Sequence, residues 1–432
     1  MATESRSPLH ALPGRLAALP TRLPPLVWAV ITSRLLIVLA GVLATSQSTR
    51  VQDWALLDPT RLSSSFGSLG NALTATVVRW DSLHYLSIAE HGYKPAGDTQ
   101  FFPLYPFLIH AFGWVVRSDV IAGLLVSVTA FTVALVLLHR LTREELGDRA
   151  ATAAVLLLTF APLSFFFTAI YTESLLLALS VGCFYLARHD RFVAACAVGA
   201  LAALTHGEGF LVFAPLAYML WERRGRPRSP RRLICWEAGA LLLPILAFAA
   251  VFAYQHAIGF GWLAPITGSQ SIGHARMMVV SSSQTKLFRG TLTLPPVTIR
   301  HATVAGVSGL WQLMHGANPA TATLGGPFNP GLQNLIYLLV LLITASTLVL
   351  SWRRLPAPYA IYATLAVCLF ASRDTNLVPL LSFDRYMLPV FPLWMCAGAW
   401  VQEHRLTRRT VQLSMLLLVF YTIEFARWVP VA

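Results

Sequence analysis

Charge is scarce in this chain. Only 12% of its 432 residues are Asp, Glu, Lys or Arg, against 56% that are hydrophobic, whereas soluble domains carry roughly 25% charge. A protein whose main solvent is water is thereby excluded. Cysteine is also sparse. The five cysteines, Cys183, Cys196, Cys235, Cys368 and Cys396, are scattered through apolar runs, which reads as small core residues rather than a disulfide framework or a metal site. No glycine-rich phosphate loop stands between a strand and a helix, and no H-E-x-x-H is present, so nucleotide-loop and zinc-protease chemistry find no support. Sequence repeats, low-complexity tracts and a soluble domain are missing as well. No cleavable leader is convincing, because the first apolar run follows a tail over 1–24 and is long enough to span, although the A-T-S near Ala44 faintly resembles a cleavage site.

Long apolar runs are what the chain has instead. A hydrocarbon core about 30 Å thick takes ~20 apolar residues per crossing helix. Such runs lie near 25–45, 119–138, 150–168, 173–187, 192–206, 208–221, 233–257, 332–351, 357–371, 386–401 and 410–428. The expected fold class is therefore all-α, a polytopic integral membrane bundle of about eleven spans. The spans flanking His206 are short enough to form a hairpin that does not fully cross. A cytoplasmic N-terminus places the basic clusters at 140–149, 188–191, 222–232, 352–354 and 403–409 all on the cytoplasmic side. The six arginines within 223–232 read as orientation determinants. The net charge of +13 accordingly points to membrane lipid, with no nucleic acid implied.

The domain organisation follows: a cytoplasmic tail over 1–24 and one transmembrane domain over 25–432, with extracytoplasmic segments at 46–118 and 258–331. Unstructured loops above ~15 residues are uncommon, so both segments are expected to carry helices lying on the bundle. The stretch FFPLYPFLIHAFGWVV at 101–116 is interrupted by Pro103 and Pro106 and is placed at the interface.

The first segment contains RWDSLHYLSIAEHGY at 79–93, whose Leu83, Leu86 and Ala89 spacing predicts a short amphipathic helix entered at Asp81 and stopped by Gly92. Asp81 has two compatible readings: a helix N-cap, and a general base at a membrane surface beside Trp80. The second segment has a field of one sign. No Asp or Glu occurs from Ala238 to Arg373, while 258–331 holds His274, Arg276, Lys286, Arg289, Arg300 and His301. Those cations either attract anionic headgroups or stabilise a phosphate as a group departs from it; Arg276, Lys286 and Arg289 are favoured for the second role.

Four further charges or pairs stand where charge is costly. Arg385, in SFDRY, is expected to face a cavity or to pair with Asp384 or Asp374. Glu173, in IYTES, either caps the fourth span or serves a sugar or Asp81. His206 and Glu208, in THGEG, are either a mutually satisfied pair or second-tier site residues, with glycines permitting a tight bend. Arg34, inside the first span, is expected to face the bundle, with Glu173 or Glu208 as candidate partners.

The runs WDSLHYLSIAEHGY and FFPLYPFLI, together with FFFTAIYTESL at 165–175 and SFDRYMLPVFP at 382–392, closely resemble the PIG-V-like mannosyltransferase family within the GT-C superfamily of polyprenyl-phosphate-sugar-dependent transferases. The resemblance implies a GT-C-like fold and a metal-independent, inverting transfer of mannose from a polyprenyl-phosphate donor to a lipid, glycan or protein acceptor, without a cofactor. It implies Asp81 as catalytic base, Arg79, Trp80 and Tyr85 as residues shaping its surroundings, and Arg385 as a donor-phosphate ligand. The Ala- and Arg-rich composition looks bacterial, which implies a plasma-membrane enzyme with an extracytoplasmic site. The alternative from another class is a transporter or flippase of a lipid-linked saccharide; a non-catalytic subunit of a membrane complex is the third reading.

Overall fold

The computed structural model describes residues 23–46, 58, 62–64, 66–94, 96–227, 236–268, 290–315, 330–375, 378–429 and 431. Each of the eleven expected spans contains a helix. Five are long and apolar enough to cross a membrane: α1 (Leu23–Ser46), α5 (Asp119–Leu146), the run Trp236–Ala257, which divides into α10 (Trp236–Ala240) and α11 (Leu243–Ala257), α13 (Pro330–Arg354), and α17 (Thr407–Ala426). The other six are α6 (Asp148–Thr159), α7 (Glu173–Arg188), α8 (Phe192–Thr205), α9 (Phe213–Arg223), α14 (Ala357–Phe370) and α16 (Phe391–Glu403). These are shorter than the ~20 residues of a straight crossing, and they occupy the middle of the bundle. In lipid every backbone polar group needs a partner, so irregular chain at that depth is confined to protein-lined space.

The segment between α6 and α7 obeys that rule. Pro162 cannot continue α6, and residues 163–172 run as buried chain with one 3-10 turn at Ser164–Phe167 and no α-helix. Arg34 of α1 supplies donors to it. Its Nη1 donates to the Ser164 carbonyl at 3.0 Å and to Thr168 Oγ1 at 2.5 Å, while Nη2 reaches the Thr159 carbonyl at 3.3 Å and Ser164 Oγ at 3.0 Å. Arg34 thus faces the bundle as expected. Its partners, however, are carbonyls and hydroxyls left over where α6 stops, and neither Glu173 nor Glu208 is among them.

Outward faces carry the opposite signature. Trp28, Leu35, Leu39 and Leu43 on α1, Leu339, Leu342 and Ile343 on α13, and Leu413, Leu416 and Phe420 on α17 are all exposed. Apolar surface on that scale is stable against acyl chains and not against water. Helices come close where side chains are small: a Cβ on Gly398 of α16 would lie 2.5 Å from the Ala154 nitrogen of α6. Cys183, Cys196 and Cys396 are buried, in keeping with a packing role, but Cys368 is exposed because it lies on the outer face of α14; Cys235 lies outside the described residues.

Both long segments contain helices. The first holds α2 (Gly67–Leu73), α3 (Asp81–His91) and α4 (Leu104–Val116). As expected, α3 begins at Asp81 and ends at Gly92, whose φ of 71° suits glycine. The second holds α12 (Pro295–His315). A three-residue antiparallel ribbon pairs β1 (Gly290–Leu292) with β2 (Arg373–Thr375), and a last helical turn, α15 (Phe383–Tyr386), leads into α16.

Candidate active site

The three motif segments meet at one end of the bundle. Ile170 donates its N–H to the Val77 carbonyl at 3.0 Å, stitching the irregular chain before α7 to the chain before α3. The Tyr171 hydroxyl completes the joint, accepting from the Asp81 N–H at 3.1 Å and donating to the Arg79 carbonyl at 3.1 Å. Asp81 is thereby fixed at its backbone. The preceding residue, Trp80, takes φ 52° and ψ −116°, a conformation that costs a non-glycine residue on the order of 1–3 kcal/mol and that clusters at functional sites. It is Trp80 that occupies the cap position of α3, with Asp81 as the first helical residue.

The Asp81 side chain meets Arg385. Arg385 Nη1 donates to Asp81 Oδ2 at 2.8 Å, and Arg385 Nε donates to Glu173 Oε1 at 2.5 Å. The guanidinium carbon also lies 4.6 Å from the Tyr171 ring centroid and 5.0 Å from that of Phe166. All three charged side chains are recessed, with 17% of Asp81, 9% of Arg385 and 5% of Glu173 exposed. Arg385 therefore pairs with neither Asp384 nor Asp374 through its side chain. Asp384 accepts the Arg385 backbone N–H, at 2.8 Å, and Asp374 pairs with His301 Nδ1 at 2.6 Å. Glu173 does open α7, yet its carboxylate turns to Arg385, and its Oε2 is a buried atom without a hydrogen-bond partner among the described residues.

Around this cluster the remaining candidates divide. Tyr85 is buried, its hydroxyl 3.2 Å from Thr172 Oγ1, so it clamps α3 to the start of α7. Arg79 is buried and directed at the far end of α17, with Nε donating to the Ala426 carbonyl at 3.0 Å and the guanidinium 4.8 Å from the Trp428 ring. Trp80 meets the same Trp428 edge-on at 5.7 Å. These two hold the chain before α3 against α17 rather than facing the Asp81 carboxylate's partner. His206 lies 6.0 Å from the Tyr386 ring and 4.0 Å from Glu208 Oε1. Glu208 is buried with Oε2 unpartnered among the described residues, so the pair leaves an acceptor unspent. The bend that carries them depends on Gly209, where a Cβ would fall 1.8 Å from the Ala202 carbonyl oxygen. Arg276, Lys286 and Arg289, with His274, lie outside the described residues.

Residues 25–220 match the family described as Mannosyltransferase (PIG-V). The match covers a little under half of the chain. Two relatives are both named GPI alpha-1,6-mannosyltransferase 2. The rat protein is 31% identical over 168 residues, covering 35% of this chain and 34% of its own length. The mouse protein is 30% identical over 224 residues, covering 47% of this chain and 45% of its own. The chain thus spans under half the length of these relatives. Solved structures similar to it include ArnT from Cupriavidus metallidurans bound to undecaprenyl phosphate, 13% identical with a TM-score of 0.45 over 90% of this chain and 62% of that one. An oligosaccharyltransferase from Archaeoglobus fulgidus, tethered to an acceptor peptide, is 14% identical with a TM-score of 0.44 over 94% and 55%.

The matched region contains Asp81, Glu173, His206 and Glu208 but ends before Arg385. Sequence reasoning missed three features around this site. Tyr171 stands inside the quoted FFFTAIYTESL run, where only Glu173 drew notice because it is charged. Tyr386 follows Arg385 directly and stacks on Phe370 with centroids 4.3 Å apart. One turn along α3 from Asp81, His84 Nδ1 lies 2.7 Å from Asp98 Oδ1; the two are 14 positions apart, with no spacing rule to join them.

Proposed function

We propose that this chain is a membrane mannosyltransferase that moves mannose from a polyprenyl-phosphate donor to an acceptor hydroxyl by a single inverting displacement that needs no metal. The observation that carries the reading is the Asp81 carboxylate, backbone-anchored by Tyr171 and held 2.8 Å from a guanidinium in a recess at one end of a membrane bundle. The acceptor oxygen attacks the anomeric carbon as the bond from that carbon to the phosphate oxygen breaks. Its proton passes to Asp81, and the electron pair of the broken bond leaves with the lipid phosphate.

Arg385 sets the direction of the Asp81 carboxylate and balances two acids with one cation. Positive charge near the departing phosphate stabilises the charge that grows there. The carrier's tail, lodged between helices, fixes the sugar in position, so orientation supplies much of the rate. Glu173, His206 and Glu208 offer acceptors and donors suited to sugar hydroxyls. The relatives' name specifies an α-1,6 bond, which makes an α-linked mannoside the product to look for. The extracytoplasmic face of a bacterial plasma membrane is the proposed setting.

Reconstitution of the purified chain with radiolabelled polyprenyl-phosphate mannose and a panel of acceptor alcohols tests this. Labelled mannoside formed in the presence of EDTA supports it. Transbilayer movement of the donor without product would instead identify a flippase, and neither activity would mark an accessory subunit.

A further inference from the structure

The cation that grips the donor's phosphate is not evident from the base cluster, because Arg385 is already engaged by two carboxylates. Arg373 differs in every respect. It is exposed, and no described carboxylate lies within ion-pair distance of its guanidinium. Its neighbour Asp374 cannot neutralise it. Successive residues of a strand face opposite ways, and in β2 Asp374 turns inward to take His301 at 2.6 Å while Arg373 stays outside. The backbone beneath Arg373 is fixed by pairing with Leu292 and by the Thr293 N–H donated to the Ser372 carbonyl at 2.9 Å.

The Arg373 guanidinium packs alongside two stacked rings, 5.3 Å from the Phe370 centroid and 5.4 Å from that of Tyr386. Contact with rings restrains the group without consuming its N–H donors, which stay available for bidentate bonding to an oxyanion. The same Tyr386 ring lies 5.4 Å from the Arg385 guanidinium and 6.0 Å from the His206 ring. Arg373 is therefore one aromatic ring away from the cluster that contains the base, and its field reaches His206 and Glu208.

We propose that Arg373 is the phosphate-binding residue of this site, taking the phosphate of a polyprenyl-phosphate sugar while Arg385 stays with Asp81 and Glu173. The assignment rests on the donor reading given above. It divides labour between two arginines 12 positions apart: a buried one, paired with two carboxylates, that aims the base, and an exposed one, with no described carboxylate at ion-pair distance, that receives the anion.

The test uses the full chain in phosphatidylcholine nanodiscs, with farnesyl phosphate as the probe and tryptophan fluorescence as the signal. Arg373→Gln is expected to weaken farnesyl phosphate binding about 10- to 100-fold, the range for losing charge-assisted hydrogen bonds, with Arg373→Lys intermediate. In transfer assays Arg373→Gln raises KM for the donor far more than it lowers kcat, and Arg385→Lys does the reverse. Equal farnesyl phosphate affinity in wild type and Arg373→Gln overturns the assignment while leaving the transferase reading standing. A difference seen only when phosphatidylglycerol replaces phosphatidylcholine also overturns it, since Arg373 would then contact bulk anionic headgroups. Wild type that neither binds farnesyl phosphate nor transfers mannose sinks the donor reading itself, and this assignment with it.

Discussion

Asp81 and Arg385 stand 304 positions apart in the chain and 2.8 Å apart in space. The pair joins the first turn of α3 to the last turn before α16 and so orients the Asp81 carboxylate. A second carboxylate, Glu173, holds the same guanidinium from the start of α7. Both acids draw compensation from Arg385, and each constrains where Arg385 can point.

Asp81→Asn tests the base directly. The amide keeps the shape and can still accept from Arg385, but it takes no proton. Transfer by the purified protein is expected to fall ~10²- to 10⁴-fold, the range for general base catalysis, with expression and farnesyl phosphate affinity close to wild type. Comparable turnover by mutant and wild type would refute the assignment.

Arg385→Gln is expected to act on stability as well as rate. Removing one partner of a buried ion pair leaves uncompensated charge and costs about 3–5 kcal/mol. Here two acids lose the same guanidinium at once, so the thermal unfolding midpoint in detergent should drop clearly. Adding Glu173→Gln removes one of the two acids and is expected to restore part of the loss. An unchanged midpoint in both variants would contradict this account of the cluster.

Tyr171→Phe removes a hydroxyl that accepts from the Asp81 N–H and donates to the Arg79 carbonyl, while its ring still faces Arg385. Two hydrogen bonds at roughly 0.5–1.5 kcal/mol each are lost. The expected result is a lowered kcat with little change in donor KM, because the base loop loosens and the phosphate contact does not. A changed KM at constant kcat would argue against Tyr171 as a positioning residue.

How far the sequence carried this picture depends on whether a feature is local. Helix α3, its entry at Asp81 and its stop at Gly92 were legible because periodicity and one glycine suffice. The helix in each expected span was legible for the same reason. The partner of Arg34 was not: only the break of α6 near Pro162 exposes the carbonyls it takes, and no spacing predicts which carbonyls a distant arginine will meet. Arg385 was singled out by its cost, yet its partners come from segments 212 and 304 positions away. Arg373 escaped notice altogether, because an arginine beside an aspartate reads as a neutral pair until the strand pleat separates them.

Gly209→Ala tests whether the THGEG bend places His206 and Glu208. A methyl group there would fall 1.8 Å from the Ala202 carbonyl oxygen and 2.7 Å from the Ala203 nitrogen, backbone atoms of α8 that no rotamer change can move aside. The junction between α8 and α9 must then open, carrying His206 away from Tyr386. Gly207→Ala is the control, because its Cβ would meet only the Phe102 ring at 3.8 Å, an ordinary contact. Gly209→Ala is expected to lower both the unfolding midpoint and transfer, and Gly207→Ala neither. If the two behave alike, the bend is not what sets His206 against Tyr386, and the pair's claim to a place in the sugar site fails with it.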